Sequence, residues 1–384
     1  FPAQTVGTNS NHRKYAASFF LCLPQLLSIT PMNISQTDLD SIAEIKTFTR
    51  PLSLCKQIIV LDGISGTGKT MFSPLLSSFD RVQNARFEYM FEYLCIATSK
   101  HKVSTDAAFS LLNLLADVKC YDGMISREVN FRPTDLSSVF NSSRPFKYLQ
   151  QLFMSDGASV SARIEKENPS LLLVTHQLLG CMQPAIDAFG DRLRVVEMVR
   201  HPLYLLDHWN SVMAIYETNP ADFTLWLDFN RRQVPWFAKG WESDYIRASA
   251  FDRAIYSVAS LMKHVFEYYQ KEGKSNAIAF VPFEHFVLSP GPYVRRMEDF
   301  LGSRSTSATQ RALKSQKVPR SSINAGPQKG IYKRYALRNY NKDITDAQDY
   351  ERLFAAAKKK SSGTAFCELE KIARSYEDTF GLWF

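Results

Sequence analysis

Gln57-Ile-Ile-Val-Leu-Asp62, followed without a break by Gly63-Ile-Ser-Gly-Thr-Gly-Lys-Thr70, decides the fold of this chain. The first six residues form a continuous apolar run rich in β-branched side chains, the pattern of a strand buried on both faces of a parallel sheet. The next eight satisfy G-x-x-x-x-G-K-[ST] in full and lead into a helical pattern. Glycines at 63, 66 and 68 let backbone N–H groups converge on phosphate oxygens, and the helix N-terminus behind them adds the positive end of its dipole. Lys69 brings a cation to the same place, beside the hydroxyls of Ser65, Thr67 and Thr70. The loop fixes a phosphorylated ligand class and leaves the reaction open.

Working outward, Ser170-Leu-Leu-Leu-Val-Thr175 and Leu193-Arg-Val-Val-Glu-Met-Val199 are two more buried-strand runs. Each is followed by a helical pattern, so consecutive right-handed βαβ units are the economical arrangement. Helical patterns at Phe87–Ser99 and Asp106–Val118 read as an insertion. A long helix at Asp252–Lys271 leads into a strand at Ala277–Val281. The chain turns polar and basic past Gly302 and closes with helices near Ala347–Lys359 and Phe366–Phe380. The expected fold is a three-layer α/β P-loop architecture, a central and mainly parallel sheet flanked by helices, with helical insertions. Its expected parts are an extension with a lead helix (Thr37–Phe48) in 1–50, the loop-bearing domain in 51–335, and a C-terminal helical segment, 336–384, packed on that domain.

Of the 384 residues, 45% are hydrophobic and 13% aromatic, enough for a sizeable core. The net charge of +8 is spread along the chain and forms no stripe, which argues against nucleic acid and reads as a field for small anions or as a merely basic surface. The six cysteines are isolated, with no C-x-x-C pair, so we expect reduced thiols and no metal site. That pattern fits the cytoplasm. The chain begins at Phe1, and an apolar run from Tyr15 to Ile29 is interrupted by Pro24 and preceded by His12, Arg13 and Lys14. The run is shorter than the roughly 20 residues of a membrane-spanning helix. It reads either as a membrane anchor or as an extension upstream of a translation start at Met32, and we expect no membrane span.

Three further features bear on chemistry. Leu173-Val-Thr-His176 puts an imidazole at the carboxyl edge of a strand, where ligands of open α/β sheets bind; it reads equally as a general base and as a helix cap. Val195-Val-Glu-Met-Val-Arg200-His-Pro202 puts a guanidinium at another strand end, able to clamp a phosphate with parallel hydrogen bonds or to form a surface ion pair. Residues 279–302 read as strand, turn and helix, scaffold apart from Glu284. Trp209, Trp226, Trp236 and Trp241 suit an acceptor lid or a core, and Arg127 and Arg132 suit acceptor contact or ion-paired scaffold.

Taken together, Ser65-Gly66-Thr67, Thr175-His176, Arg200-x-Pro202 and the stretch Pro282–Gly302 resemble the P-loop sulfotransferases, over about residues 56–335. The resemblance implies 3′-phosphoadenosine-5′-phosphosulfate as donor and a hydroxyl or amine on a small molecule or sugar as acceptor. It implies that His176 is the base, that Lys69 and the loop stabilise the departing phosphate, and that Arg200 grips the 3′-phosphate. His208 stands where the family carries a serine eight residues after that arginine, with Ser211 one turn beyond, and Lys329 lies in a segment similar to the family's late basic loop. Ile64 and Val174 stand where basic residues are usual. Two other readings stay open: a small-molecule or nucleoside kinase using ATP and magnesium held by Asp62 or Glu197, which the complete G-K-T ending favours, and a nucleotide-binding regulatory module without turnover.

Overall fold

The computed structural model describes residues 48–382 apart from Thr49, Leu136, Ser143, Ala221, 273–276 and 327–343. Met32, Lys329 and all but the last residue of the expected lead helix fall outside these residues. Among the described residues there are seven strands: β1 Gln57–Asp62, β2 Arg86–Phe87, β3 Ser170–Val174, β4 Leu193–Val199, β5 Trp226–Phe229, β6 Arg232–Pro235 and β7 Ile278–Pro282. Five of them form one sheet in the order β2-β3-β1-β4-β7, every pair parallel. The apolar runs become strands where the sequence places them, with β3 one residue shorter and β7 shifted by one.

Alternation along β1 divides the core in two, because successive side chains leave a strand on opposite faces. Ile58 and Val60 join Phe91, Leu112, Leu171, Leu173 and Val195, while Ile59 and Leu61 join Phe72, Leu172, Val196 and Ala279. The first face is covered by the helices Tyr89–Ser99, Thr105–Met124, Gln183–Phe189 and Ala250–Glu272. The two helices read as an insertion are therefore part of this covering layer. Leu353, Leu369 and Tyr376 of the C-terminal helices Asp346–Lys360 and Gly363–Phe380 enter the same core. The second face carries Lys69–Leu76, Phe283–Leu288, Pro290–Leu301 and Ser307–Ser315.

With β3 on one side and β4 on the other, β1 ends at the point where the chain leaves the sheet in both directions. That is the crevice in which open α/β sheets bind ligands. Cys55, Cys95, Cys120 and Cys181 are buried free thiols and Cys367 is exposed. Among the described residues no helix is long and apolar enough to cross a membrane.

Candidate active site

The loop 63–70 is shaped by close approach. Gly63, at φ 141°, lies against the Met198 carbonyl, which a Cβ would meet at 2.3 Å, and Gly68, at φ 103°, lies against the Phe283 ring, which a Cβ would meet at 2.6 Å. Only glycine accepts both the dihedral and the space. Thr67 is buried and turns back on the loop, its Oγ1 donating to the Ile64 carbonyl at 2.8 Å. Thr70 lies in the first turn of the helix Lys69–Leu76 and is half-buried. The Lys69 amine is buried and donates to the Gly63 carbonyl and, at 3.3 Å, to that of Ile64. Burial lowers its pKa, against the pull of Asp62, Glu197 and Glu92.

Asp62 and Glu197 are register partners on β1 and β4 beneath the loop. Burial, reinforced by Asp62, pushes the Glu197 carboxyl well above the usual range. Thr175 donates its hydroxyl to Asp62 Oδ1 at 2.9 Å, which ties the carboxyl end of β3 to that of β1.

Side chains from two other segments grip the loop. Gln177 donates its backbone N–H to the Gly63 carbonyl at 3.1 Å and accepts from the Ser65 N–H at 3.3 Å. From the helix Leu206–Ile215, Trp209 Nε1 donates to the Ser65 carbonyl at 2.9 Å and His208 Nε2 lies 2.8 Å from Ser65 Oγ. Burial, then Lys69 and Arg200, lower the His208 pKa to about 4, so this imidazole is neutral at pH 7. Ser211 is turned onto its own helix, its Oγ donating to the Asp207 carbonyl at 2.9 Å.

Arg200 lies one residue beyond β4 and reaches back over the loop. Its guanidinium donates to the Gly66 carbonyl at 3.1 Å and to Asn324 Oδ1 at 3.2 Å, with the Phe283 ring centre 4.3 Å from Cζ. Its Nε is buried and has no hydrogen-bond partner among the described residues. The backbone behind it is fixed by Glu284, fully buried, which accepts the His201 N–H at 2.9 Å and the Tyr376 hydroxyl at 2.8 Å. Pro202 opens a short 3₁₀ turn, Pro202–Tyr204.

His176 leaves the end of β3 stacked with two aromatic rings. Phe87 stacks on it at 5.5 Å and Tyr89 at 5.9 Å between ring centres. Its Nδ1–H donates to Glu92 Oε1 at 2.9 Å. Glu92 is buried in the first turn of the helix Tyr89–Ser99, where the positive helix end favours a carboxylate. Burial raises its pKa and the bond to His176 opposes that rise. With Nδ1 committed, the imidazole keeps Nε2 for another partner, the arrangement of an oriented general base. The sequence gives no sign of Glu92, which lies 84 residues from His176.

Some of these groups share one space, while Lys69 and Arg200 are not among the described residues that line it. A cavity of about 230 Å³ is lined by Ser65, His208 and Trp209 from the loop side, by Glu92 and His176, and by a wall that includes Tyr89, Tyr93, Tyr216, Asp222, Phe223 and Trp236. Trp209 and Trp236 thus belong to the cavity. Trp226 packs on Tyr216 at 5.2 Å and Trp241 on Tyr245 at 5.6 Å, contacts within the core. Arg127 pairs with Asp122 and Arg132 with Asp135, both at 3.3 Å, and neither is among the described residues that line the cavity.

No family model matches the sequence, and no curated protein does. Solved structures similar to this chain include the sulfotransferase domain of the Synechococcus PCC 7002 olefin synthase, at 11% identity and TM-score 0.40 over 88% of this chain and 99% of that one. Sulfotransferase STF9 from Mycobacterium avium is similar at 16% identity and TM-score 0.38, over 87% and 79% of the two chains. Mouse sulfotransferase SULT7A1, solved with PAP, is similar at 11% identity and TM-score 0.32, over 85% and 90%. Identities and scores of this size transfer no residue's role from one chain to another. These three solved structures to which the chain is similar are sulfotransferases.

Proposed function

We propose that the protein is a sulfotransferase that moves a sulfuryl group from 3′-phosphoadenosine-5′-phosphosulfate to a hydroxyl on a small acceptor. The observation that carries this reading is that one cavity joins Ser65 of the phosphate loop to an imidazole whose second nitrogen is committed to a buried carboxylate.

The residues present fit such a donor. Loop glycines that no side chain could replace leave backbone N–H groups to meet phosphate oxygens. Arg200, paired with no carboxylate among the described residues and with a buried Nε, suits a second phosphate on the sugar. When bound, the donor supplies an activated sulfuryl group with a phosphate as its leaving group. His176 Nε2 takes the acceptor's proton, and Glu92 stabilises the imidazolium that forms. Lys69, rotated off the Gly63 carbonyl, and the loop N–H groups stabilise charge on the leaving side. His208, neutral at pH 7, holds Ser65 Oγ in place beside them.

Incubation of the purified protein with ³⁵S-labelled donor and a simple phenol tests the reading. We expect labelled aryl sulfate to form. Phosphorylated acceptor from ATP and magnesium, with no sulfate ester, would establish the kinase reading in its place.

A further inference from the structure

Arg200 stands one side chain away from a buried carboxylate. Its guanidinium donates to Asn324 Oδ1 at 3.2 Å, and the Asn324 amide in turn donates to Asp349 Oδ2 at 2.9 Å. Asp349 lies in the first turn of the helix Asp346–Lys360, where the positive helix end favours a carboxylate, and its Oδ1 accepts from Arg352. The backbone beside the amide is tied to the same turn, because the Ile323 N–H donates to both oxygens of Asp346, at 3.2 and 3.1 Å. Asn324 is thereby held between the arginine and a C-terminal helix.

The amide can stand only one way round. Its oxygen faces a group that only donates and its nitrogen a group that only accepts, so turning it over would set donor against donor and acceptor against acceptor. The consequence is electrostatic. Arg200 is oriented, yet the acceptors described for it are neutral: the Gly66 carbonyl at 3.1 Å and the Asn324 amide oxygen, with the rings of Phe283 and Tyr204 4.3 and 5.6 Å from Cζ. Elsewhere in the chain arginines meet carboxylates directly, as Arg50 does Asp117 and Arg253 does Glu217. A carboxylate in the place of Asn324 would make a charge-assisted pair, about twice as strong as a neutral hydrogen bond, against which a ligand phosphate would have to compete. An amide oxygen aims the guanidinium and leaves its charge to the ligand.

We propose that Asn324 is a positioning residue for the phosphate that Arg200 binds, a neutral spacer that aims the guanidinium and keeps Asp349 off it. The helix Asp346–Lys360 is then part of the phosphate site. This rests on the sulfotransferase reading for which phosphate is bound, the 3′-phosphate of the donor, but not for the role of the spacer.

Exchanging the two residues, Asn324→Asp with Asp349→Asn, tests the proposal on the full chain, because the exchange keeps volume and hydrogen bonding and moves only the charge. Calorimetric titration with 3′-phosphoadenosine 5′-phosphate, adenosine 5′-phosphate and ATP with magnesium reads the result. The unaltered protein is expected to prefer the bisphosphate to the monophosphate. The exchange should weaken the bisphosphate roughly tenfold, as expected when a charge-assisted pair must be displaced, and leave the monophosphate unchanged. Asn324→Asp alone, which leaves Asp349 with Arg352, should act in the same direction and decides the matter should the exchange fold poorly. Unchanged affinity for all three ligands, an equal loss for all three, or no binding of any of them by the unaltered protein would overturn the proposal. No preference for the bisphosphate in the unaltered protein, with ATP and magnesium weakened by the exchange, would uphold the spacer and sink the sulfotransferase reading alone.

Discussion

The two sides of the cavity are built in opposite ways. On the loop side the phosphate cradle itself is backbone, glycine dihedrals, carbonyls and N–H groups contributed by eight consecutive residues, 63–70, with the side chains of His208 and Trp209 holding it from behind. The facing side is all side chain, assembled from Glu92, His176 and Asp222 on segments far apart in the sequence. Backbone recognition of phosphate needs only local conformation, so it survives in a short motif. A base with its orienting carboxylate needs the tertiary fold first. Lesions on the two sides should therefore differ in kind.

The sharpest separation is expected from His176→Ala. Loss of a general base costs about 10²- to 10⁴-fold in rate, and binding of the bisphosphate nucleotide should not change, because the hydrogen bond and ring contacts described for His176 go to Glu92, Phe87 and Tyr89. Single-turnover transfer and calorimetric titration on the same preparation check both halves. Weakened nucleotide binding would break the distinction between the two sides.

Next in size is an acid sensitivity that belongs to the loop side. The His208 pKa falls from the ordinary 6.5 to about 4 on folding. The unfolded chain therefore takes up this proton first, and stability is fully present above pH 6.5 and lost as pH falls toward 4. At 1.36 kcal/mol per unit, the loss is about 3 kcal/mol. Denaturant unfolding of the unaltered protein and of His208→Asn across that window should show a steeper loss in the former. Equal slopes would mean that the imidazole is not buried neutral against Ser65.

Glu92→Gln is expected to have a smaller effect, roughly a tenfold loss in rate, because the base remains and only the stabilisation of its charged form goes. The loss should appear in kcat more than in KM. An effect on KM alone would make Glu92 a part of the cavity wall and not the partner of the base.

Legibility follows the same division. Continuous apolar runs marked β1, β3 and β4, because strands buried on both faces have no polar side to interrupt them. His176 and Arg200 were visible as residues at strand ends, where ligands gather in this architecture. Glu92 was not, since a glutamate early in a helix usually serves only the helix dipole. The hairpin β5–β6 escaped because its turn is Asn230-Arg231, at φ 50° and 64°, with no glycine where Asn-Gly is the usual signal. The helix Ser307–Ser315 hid in a polar stretch, although Thr306 and Thr309 form its capping box. Strand β2 has two residues, too few for any pattern.

The most direct test of the account is thermal unfolding with 3′-phosphoadenosine 5′-phosphate, beside ADP and beside ATP with magnesium, on the unaltered protein and on Arg200→Ala. A ligand that binds only the folded state raises stability by an amount set by its affinity. The account predicts a shift with the bisphosphate that needs no metal and is lost in the variant. A shift confined to ATP with magnesium, and indifferent to Arg200, would contradict it.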